Sequence, residues 1–354
     1  MEPRQVLALL RQHGRNTISF QTLMPGLRYF QSHESGYIAY VHDKHVWLAV
    51  GDPVCAPQDR MLLAHHFRKA AHVAKADCCF LHTSQEMRDI FDLMAFGTIK
   101  IGEEGIINVP EFSTSGNRMD DVRYGCNHAA KSGVSVKQVG DEADLLAGIT
   151  ALTRQWSKMH KVNHFSFLLS MNPLLYAEEK RIFVALHDSK VVGYLTGVPI
   201  YQRNGLYFED IIVSKDAPNG TGKLLVVNAI EALQQQGVAI ATLGASPLAN
   251  ITPDDNQDYP LANKALALLR EHGNTFYNYK SLTYFKQSFQ PHSYEPHYFC
   301  FYPPRLKRRM IQAVIKAYSP GGIPRLVLSR ISKELRALRL RTQRAKGPRI
   351  ARSK

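Results

Sequence analysis

Long apolar runs are missing from this chain. No stretch approaches the ~18 consecutive apolar residues that a membrane-spanning helix requires. The opening residues 1–14 (MEPRQVLALLRQHG) are short and polar, unlike a secretory leader. Cysteine is scarce: Cys55, Cys78, Cys79, Cys126 and Cys300 are odd in number and follow no framework spacing. This excludes a disulfide-stapled scaffold and points to reduced thiols in a bacterial-type cytoplasm. Acid is nearly absent from one region. Pro303–Lys354 holds 16 Lys and Arg against Glu334 alone, whereas the rest of the chain holds 28 basic and 29 acidic residues. A near-neutral body therefore carries an intensely basic tail, and such a tail implies an anionic partner, either lipid headgroups or nucleic acid.

What is present is globular. At 354 residues, with 45% hydrophobic and 21% charged content, the chain is long enough for two domains with ordinary cores. The patterning reads as α/β. Val6–His13 is a short amphipathic helix, Gly36–His42 and His45–Ala49 are strands joined by a turn, and Gly51-Asp52-Pro53-Val54 closes the second of them. Arg60–Ala76 is a helix, Cys78–His82 a strand and Gln85–Phe96 a helix; strand Ile106–Val109 and helix Met119–Ser132 follow. The second half begins with helix Asp144–Met159, bearing Trp156 on its apolar face, and a hairpin of Arg181–Leu186 with Val191–Gly197. Leu261–His272 is a further helix and Tyr298–Tyr302 the last strand.

The informative stretch is Leu206–Asn250. Strand Leu206–Val213 meets the turn Asp216-Ala217-Pro218-Asn219-Gly220. A helix with Leu224, Val227, Ile230 and Leu233 on one face ends at Gly237, and strand Val238–Leu243 leads to Gly244-Ala245-Ser246-Pro247. This is a βαβ unit whose loop aims backbone N–H groups and a helix N-terminus at whatever binds there, an arrangement suited to an anion or a developing oxyanion. The spacing is neither the dinucleotide fingerprint nor a P-loop. An ordinary tight connection is the alternative reading.

Elsewhere the chemistry is less specific. Arg123, Asn127 and Lys131 share one helix face, which a solvated surface would also explain. His160 and His164 could share a face, but no third metal ligand is placed. Asp254-Asp255-Asn256-Gln257-Asp258 lacks the glycine and closing Glu of a calcium loop and reads as a polar loop. In Asn274–Pro291 aromatics interleave with lysines, which suits either nucleic-acid stacking or a core-facing helix. The tail divides at Ser319-Pro320-Gly321-Gly322-Ile323-Pro324. Leu306, Met310, Val314 and Ile315 before it, and Leu326, Val327, Ile331, Leu335 and Leu338 after it, form apolar stripes among basic residues. Basic amphipathic helices of this kind lie in an anionic membrane interface.

The loop around Asn219 and Gly220 resembles the pyrophosphate loop of GNAT acyltransferases, without their Arg or Gln ahead of the glycines. The ordered set is wider. Asp210, Asp216–Gly220 and Leu243–Leu248 resemble the catalytic half of the phosphatidylglycerol lysyltransferase and alanyltransferase family, as do Gly51–Val54, Lys100-Ile101-Gly102-Glu103-Glu104, Ser115-Gly116, Tyr277-Asn278, Lys280, Phe285-Lys286, Phe289 and Pro291. The resemblance covers most of residues 28–300. It implies tandem GNAT-like domains, with divisions expected at 1–140, 141–302 and a basic amphipathic tail 303–354. It implies transfer of an amino acid from aminoacyl-tRNA to the hydroxyl of a lipid such as phosphatidylglycerol, by a protein held peripherally on the inner face of the cell membrane through its tail.

An aminoacyl ester is already activated, so neither a cofactor nor a metal is implied; the enzyme orients both substrates and stabilises an oxyanion. Asp210 would hold the substrate ammonium or assist proton transfer, and the N–H groups around Asn219, Gly220 and Gly222 would stabilise the oxyanion. Asp52, Glu104, Arg123, Asn127, Lys131, Ser246, Lys280 and Lys286 would line the substrate site, the basic ones on phosphate. The family's Arg three residues after the Asp is Val213 here, and a basic position of its first-half helix is His128. Two alternatives stand beside this reading. One is a tRNA- or CoA-dependent acyltransferase with a small-molecule or peptide acceptor; the other is a non-catalytic lipid- or tRNA-binding protein on the same scaffold.

Overall fold

The computed structural model describes residues 1–32, 36–160, 172–247, 249–264, 266 and 279–318, with the side chains of 160, 247, 253, 279, 280 and 318 left aside. His164, Leu248, Tyr277, Asn278, most of the helix expected over Leu261–His272 and the tail from Ser319 onward lie outside the described residues.

A single sheet runs through the molecule. Its strands are β1 (Arg28–Phe30), β2 (Gly36–Asp43), β3 (Val46–Val50), β4 (Val54–Cys55), β5 (Asp77–Thr83), β6 (Gly97–Asn108), β7 (Ser135–Gln138), β8 (Arg181–His187), β9 (Lys190–Ile200), β10 (Gly205–Val213), β11 (Ile240–Pro247) and β12 (Ser293–Tyr302). They lie in the order β1-β2-β3-β5-β12-β6-β11-β10-β9-β8-β7, with β4 attached to β2. The helices are α1 (Pro3–His13), α2 (Arg60–Val73), α3 (Gln85–Leu93), α4 (Asp120–Lys131), α5 (Ala143–His160), α6 (Thr221–Gln235), α7 (Tyr279–Ser288) and α8 (Arg308–Tyr318). None of the described helices is long and apolar enough to cross a membrane.

The two halves repeat one topology. β2 and β3 form an antiparallel hairpin, and α2 crosses over to place β5 parallel to β3. In the second half β9 and β10 are antiparallel, and α6 crosses over to place β11 parallel to β10. This is the tandem GNAT-like α/β fold. β6 and β11 pair across the middle, so the halves share one sheet instead of meeting as separate bodies. The expected divisions after residues 140 and 302 are both bridged. β12 belongs to the second segment yet lies between β5 and β6 of the first.

β6 is longer than its periodicity suggests. Gly97, Gly102, Gly105 and the charged run Lys100–Glu104 conceal a strand of 12 residues. Each outer glycine has a reason: a Cβ at Gly97 would lie 2.2 Å from the Tyr259 hydroxyl, and one at Gly105 2.6 Å from Pro291. The acidic loop after Thr252 is fastened onto this strand. Asn256 bonds both backbone groups of Lys100 (2.8 and 3.2 Å), and Asp255 approaches the Lys100 ammonium at 3.3 Å.

The first stretch of the basic tail belongs to the body. Met310, Ala313 and Ala317 of α8 are buried against Val46, Leu48, Cys79 and Phe301, with Leu306 and Val314 packed beside them. This corrects the expectation that Leu306–Ile315 offers its apolar stripe to a membrane, because the sheet already covers most of it. Lys307 and Arg309 close on the buried Asp77 carboxylate at 2.7 and 2.8 Å, and Lys316 reaches Asp43 at 2.8 Å.

α4 and α6 cross at two glycines. Gly220 has φ +87°, and a Cβ there would lie 2.0 Å from the Gly125 carbonyl oxygen. Gly220→Ala therefore combines left-handed strain with backbone overlap. It is expected to cost about 2–4 kcal/mol in urea unfolding, whereas Gly237→Ala, at φ +67° with open space around it, costs only about 1 kcal/mol.

Candidate functional site

The βαβ unit splits open. β10 and β11 pair only through Gly205–Tyr207 and Ile240–Thr242; further on, β10 stays with β9 and β11 with β6. Each strand also slips register at this point, β10 between Phe208 and Asp210 and β11 between Thr242 and Ala245. Gly244 adopts φ +81°, and a Cβ there would meet the Tyr207 ring at 2.5 Å. Bulges of this kind re-aim side chains and are frequent beside active sites. The parting deprives β11 carbonyls of a neighbouring strand. Lys286 of α7 fills that need: its ammonium donates to Gly244 O at 3.0 Å and Ala245 O at 2.8 Å. Burial pushes its pKa down to about 8, with Glu104 opposing the shift.

On the β10 side of the fork stand two adjacent carboxylates. Glu209 accepts from Lys180 at 3.0 Å and from the Gln21 amide at 3.1 Å. The Lys180 side chain is fully buried. Among the described residues Asp210 accepts only from the Thr196 hydroxyl, at 3.1 Å. The ammonium pairs with Glu209, and Asp210 feels its charge without an ion pair among the described residues. Burial, reinforced by the neighbouring Glu209 charge, pushes the Asp210 pKa up to about 7, and Lys180 opposes the shift. The Gln21 amide oxygen is buried with no hydrogen-bond partner among the described residues, so acceptors outnumber donors among them here.

Across β11 lies a second buried polar group. The Glu104 carboxylate is unexposed and accepts from Thr17 at 2.6 Å, Thr242 at 2.7 Å and His297 Nε2 at 2.8 Å. Burial alone would raise its pKa, but these bonds, led by His297, outweigh that and hold the carboxyl below its ordinary value. The second His297 nitrogen lies 3.1 Å from His82 Nδ1, so the two imidazoles share a proton. His82 sits at φ +63°, in a bulge of β5 where Thr83 and Leu81 pair with consecutive β12 residues. Burial, together with the His297 charge, pushes His82 down to about 3 and keeps it neutral. The segment after α1 straps both groups together. Asn16 donates to His82 O, Thr17 to Glu104 and Gln21 to Glu209.

The residues expected from sequence are distributed unevenly. Asp210, Glu104, Ser246 and Lys286 fall at or beside the fork, and Ser246 and Lys286 line one small cavity with Glu103 and Asn250. Lys286 does not face a phosphate, however, because its ammonium is buried on two carbonyls. Asp52 accepts from the Ser84 N–H at 3.0 Å, beside the start of α3, where burial raises its pKa. Asn219, Gly220 and Gly222 lie where α6 begins. There the Asn219 carbonyl bonds His128 at 3.0 Å, and Lys223 ties α6 to Asp121 at 2.7 Å. Arg123 turns onto the Thr114 and Gly116 carbonyls and Asp120, so its guanidinium is engaged by its own loop. Asn127 and Lys131 are exposed. Lys280 is helical, with its side chain outside the described residues.

His82, His297, Thr17, Gln21, Lys180 and Glu209 carry much of the site and were not singled out in the sequence. A lone histidine in an apolar strand, as in Cys78–Thr83 and Pro296–Phe301, was the available signal.

The profile of the family described as "Phosphatidylglycerol lysyltransferase, C-terminal" matches residues 7–301. The chain belongs to this family. Relatives named phosphatidylglycerol lysyltransferase from Bacillus subtilis and Staphylococcus xylosus are 20% and 21% identical over 82% and 83% of this chain. The chain spans about a third of their length, 34% and 35%. Among solved structures, the C-terminal domain of a putative lysylphosphatidylglycerol synthetase from Agrobacterium fabrum has a TM-score of 0.75 at 20% identity, covering 89% of this chain and 96% of that one. L-PGS from Bacillus licheniformis also scores 0.75, at 19% identity with 90% and 96% covered. The family's fold is therefore present nearly complete.

Glu104 gives a stability prediction. Its folded pKa is depressed, so its contribution is fully present at neutral pH and is lost as pH falls through that value. Glu104→Leu takes the acceptor from the buried Thr17 and His297, while Thr242 keeps the Gly105 carbonyl, and is expected to cost about 3–5 kcal/mol at pH 7. In urea titrations the gap from the parent should narrow below about pH 4.

Proposed function

We propose that the chain transfers an aminoacyl group from aminoacyl-tRNA to the hydroxyl of a membrane lipid such as phosphatidylglycerol. The observation that carries this reading is the carboxylate pair Glu209–Asp210 at the fork, served by one buried lysine. An aminoacyl ester brings the missing cation. Its α-ammonium pairs with ionised Asp210 and offers donors to the Gln21 oxygen, unpartnered among the described residues, which holds the ester carbonyl in a fixed place. The acceptor hydroxyl oxygen then bonds the carbonyl carbon, the bond from that carbon to the ribose oxygen breaks, and the departing ribose oxygen takes the proton that the lipid hydroxyl loses. Lys280 and Lys131 supply positive charge for phosphate, and the segment 319–354 supplies attraction to anionic lipid. The names of the relatives support the substrate class.

The CoA-dependent alternative is disfavoured by the α4–α6 crossing. In a pyrophosphate-binding loop, successive N–H groups face open space at the helix start. Here Gly125, His128 and Asp121 of α4 crowd that start, and Pro218 has no N–H to give. Calorimetry with acetyl-CoA should show no binding at micromolar concentration; micromolar affinity would instead favour an acetyl donor.

Asp210 sets a pH expectation. A carboxyl raised to about 7 is mostly neutral below that pH and ionised above it, so transfer should rise between about pH 6 and pH 8. Asp210→Asn should lose about 100-fold or more in rate together with this limb. Stability at pH 8 should be unchanged or higher, because an ionised carboxylate no longer has to be buried. The measurement is transfer of labelled amino acid from tRNA into extracted lipid, beside thermal unfolding of both proteins. A variant that transfers at the parent rate removes Asp210 from the mechanism.

A further inference from the structure

The outer face of α2 and the end of α3 form a surface that the proposed chemistry does not use. Four large apolar side chains stand out from it: Met61 is 43% exposed, Leu62 48%, Val73 76% and Leu93 80%. Met61, Leu62, Leu93 and Met94 line an open groove of about 560 Å³, with His65 and Arg68 along its side. The buried face of the same helices, through Leu63, Ala64, Phe67, Met87 and Phe91, is what packs on the sheet. The exposed apolar groups are therefore additional to those the fold requires, and isolated exposed side chains would not cluster at one groove.

The charges beside the groove are unequal in a specific way. Helix α2 contains no acidic residue. Each acid of α3 is ion-paired: Glu86 with Arg15 and Arg60 (3.2 and 2.9 Å), and Asp89 and Asp92 share Arg88 (3.2 and 3.0 Å). Apart from Arg60, the cations of α2 and of the turn after it are not matched in return. Arg68 donates to the Met94 carbonyl at 2.9 Å and covers the Tyr302 ring at 4.8 Å, and its charge meets no carboxylate among the described residues. Lys69 and Lys75 form no ion pair among the described residues. Among the described residues, what this face leaves uncompensated is positive charge around exposed apolar side chains.

We infer that the α2–α3 face is a membrane-contact surface that sets Leu62 and Leu93 into the acyl boundary of an anionic bilayer, with Arg68, Lys69 and Lys75 on its headgroups. Apolar groups at the boundary and cations above it are the two contributions that hold interfacial helices. A nucleic acid would use the cations but gain nothing from a leucine exposed to 80%. The surface is distinct from the C-terminal segment. α8 packs on Leu48, Leu81 and Phe301, whereas α2 and α3 pack on Ala49, Phe80 and Cys300, whose side chains alternate with those on neighbouring strand positions. The two therefore cover opposite faces of the sheet. The inference is independent of aminoacyl transfer, since it is scored on vesicles without tRNA.

The test uses the full chain in a Cys126→Ser background, the other four cysteines being buried. Leu62→Cys, Leu93→Cys and, as a control, the exposed β8–β9 turn position Asp188→Cys are each labelled with an environment-sensitive fluorophore. Each protein is mixed with vesicles of phosphatidylglycerol and phosphatidylcholine carrying brominated acyl chains, and with vesicles of phosphatidylcholine alone. The expected result is quenching at 62 and 93 but not at 188, only with phosphatidylglycerol. Half-saturation should need at least tenfold more lipid in Lys69→Glu/Lys75→Glu. Sedimentation with vesicles while labels at 62 and 93 stay unquenched would assign docking to the C-terminal segment and overturn the inference. So would failure to bind either vesicle, or labels that respond to tRNA and not to lipid.

Discussion

Much of the centre of this protein depends on one carboxylate. Glu104 has no contact with water, yet it is held ionised by a threonine from the segment after α1, a threonine from β11 and a histidine from β12. A buried charge of this kind is tolerable only when its hydrogen bonds are complete. Completing them requires four chain segments to converge at the line where the two halves of the sheet join. The bulges in β5, β6, β10 and β11 lie on the strands around that line. They are the local cost of aiming polar groups inward from strands that would otherwise alternate regularly.

The same join explains how two half-sites become one. Thr17 and Gln21 are four residues apart on a single strap, and they reach Glu104 on one side and Glu209 on the other. The strap therefore links the relay of Glu104, His297 and His82 to the carboxylate pair at the fork. Lys286, buried among carbonyls freed by the parting of β10 and β11, fixes the other wall of that fork. Removing water from such a group strengthens every interaction inside it, which suits a reaction whose chemistry consists of orienting an ester and balancing charge.

The glycine-bearing loop shows how a motif can be read correctly as local structure and still point elsewhere. Gly220 does start a helix after a tight turn, as its sequence says. Its lack of a side chain is demanded by Gly125 of α4, a residue 95 positions earlier. Nothing in the spacing of Asp216–Lys223 reveals that neighbour, because helix–helix contact is a property of the assembled layers. Arg123 and Lys286 carry the same lesson. Their basic character is legible, but the carbonyls that hold them come from chain turns whose positions only the fold sets.

The sequence by itself determined the fold class, the strand–loop–helix–strand unit at its centre and the family. Hydrophobic periodicity and ordered motifs are local or linear properties, and both survive without coordinates. It also marked Asp210 and Glu104, which stand in recognisable short motifs. Tertiary structure decided the rest. Val6–His13 and Arg60–Ala76 announce themselves by period, whereas the strand Gly97–Asn108 is hidden by glycines and charges that only its neighbours explain. The apolar stripe of Arg308–Tyr318 reads the same whether it faces lipid or a sheet, and packing against Leu48 and Phe301 settled which. His82 and His297 are 215 residues apart, and each alone is an unremarked histidine in an apolar strand. Only the antiparallel pairing of β5 with β12, one residue out of register, brings their rings within a shared proton.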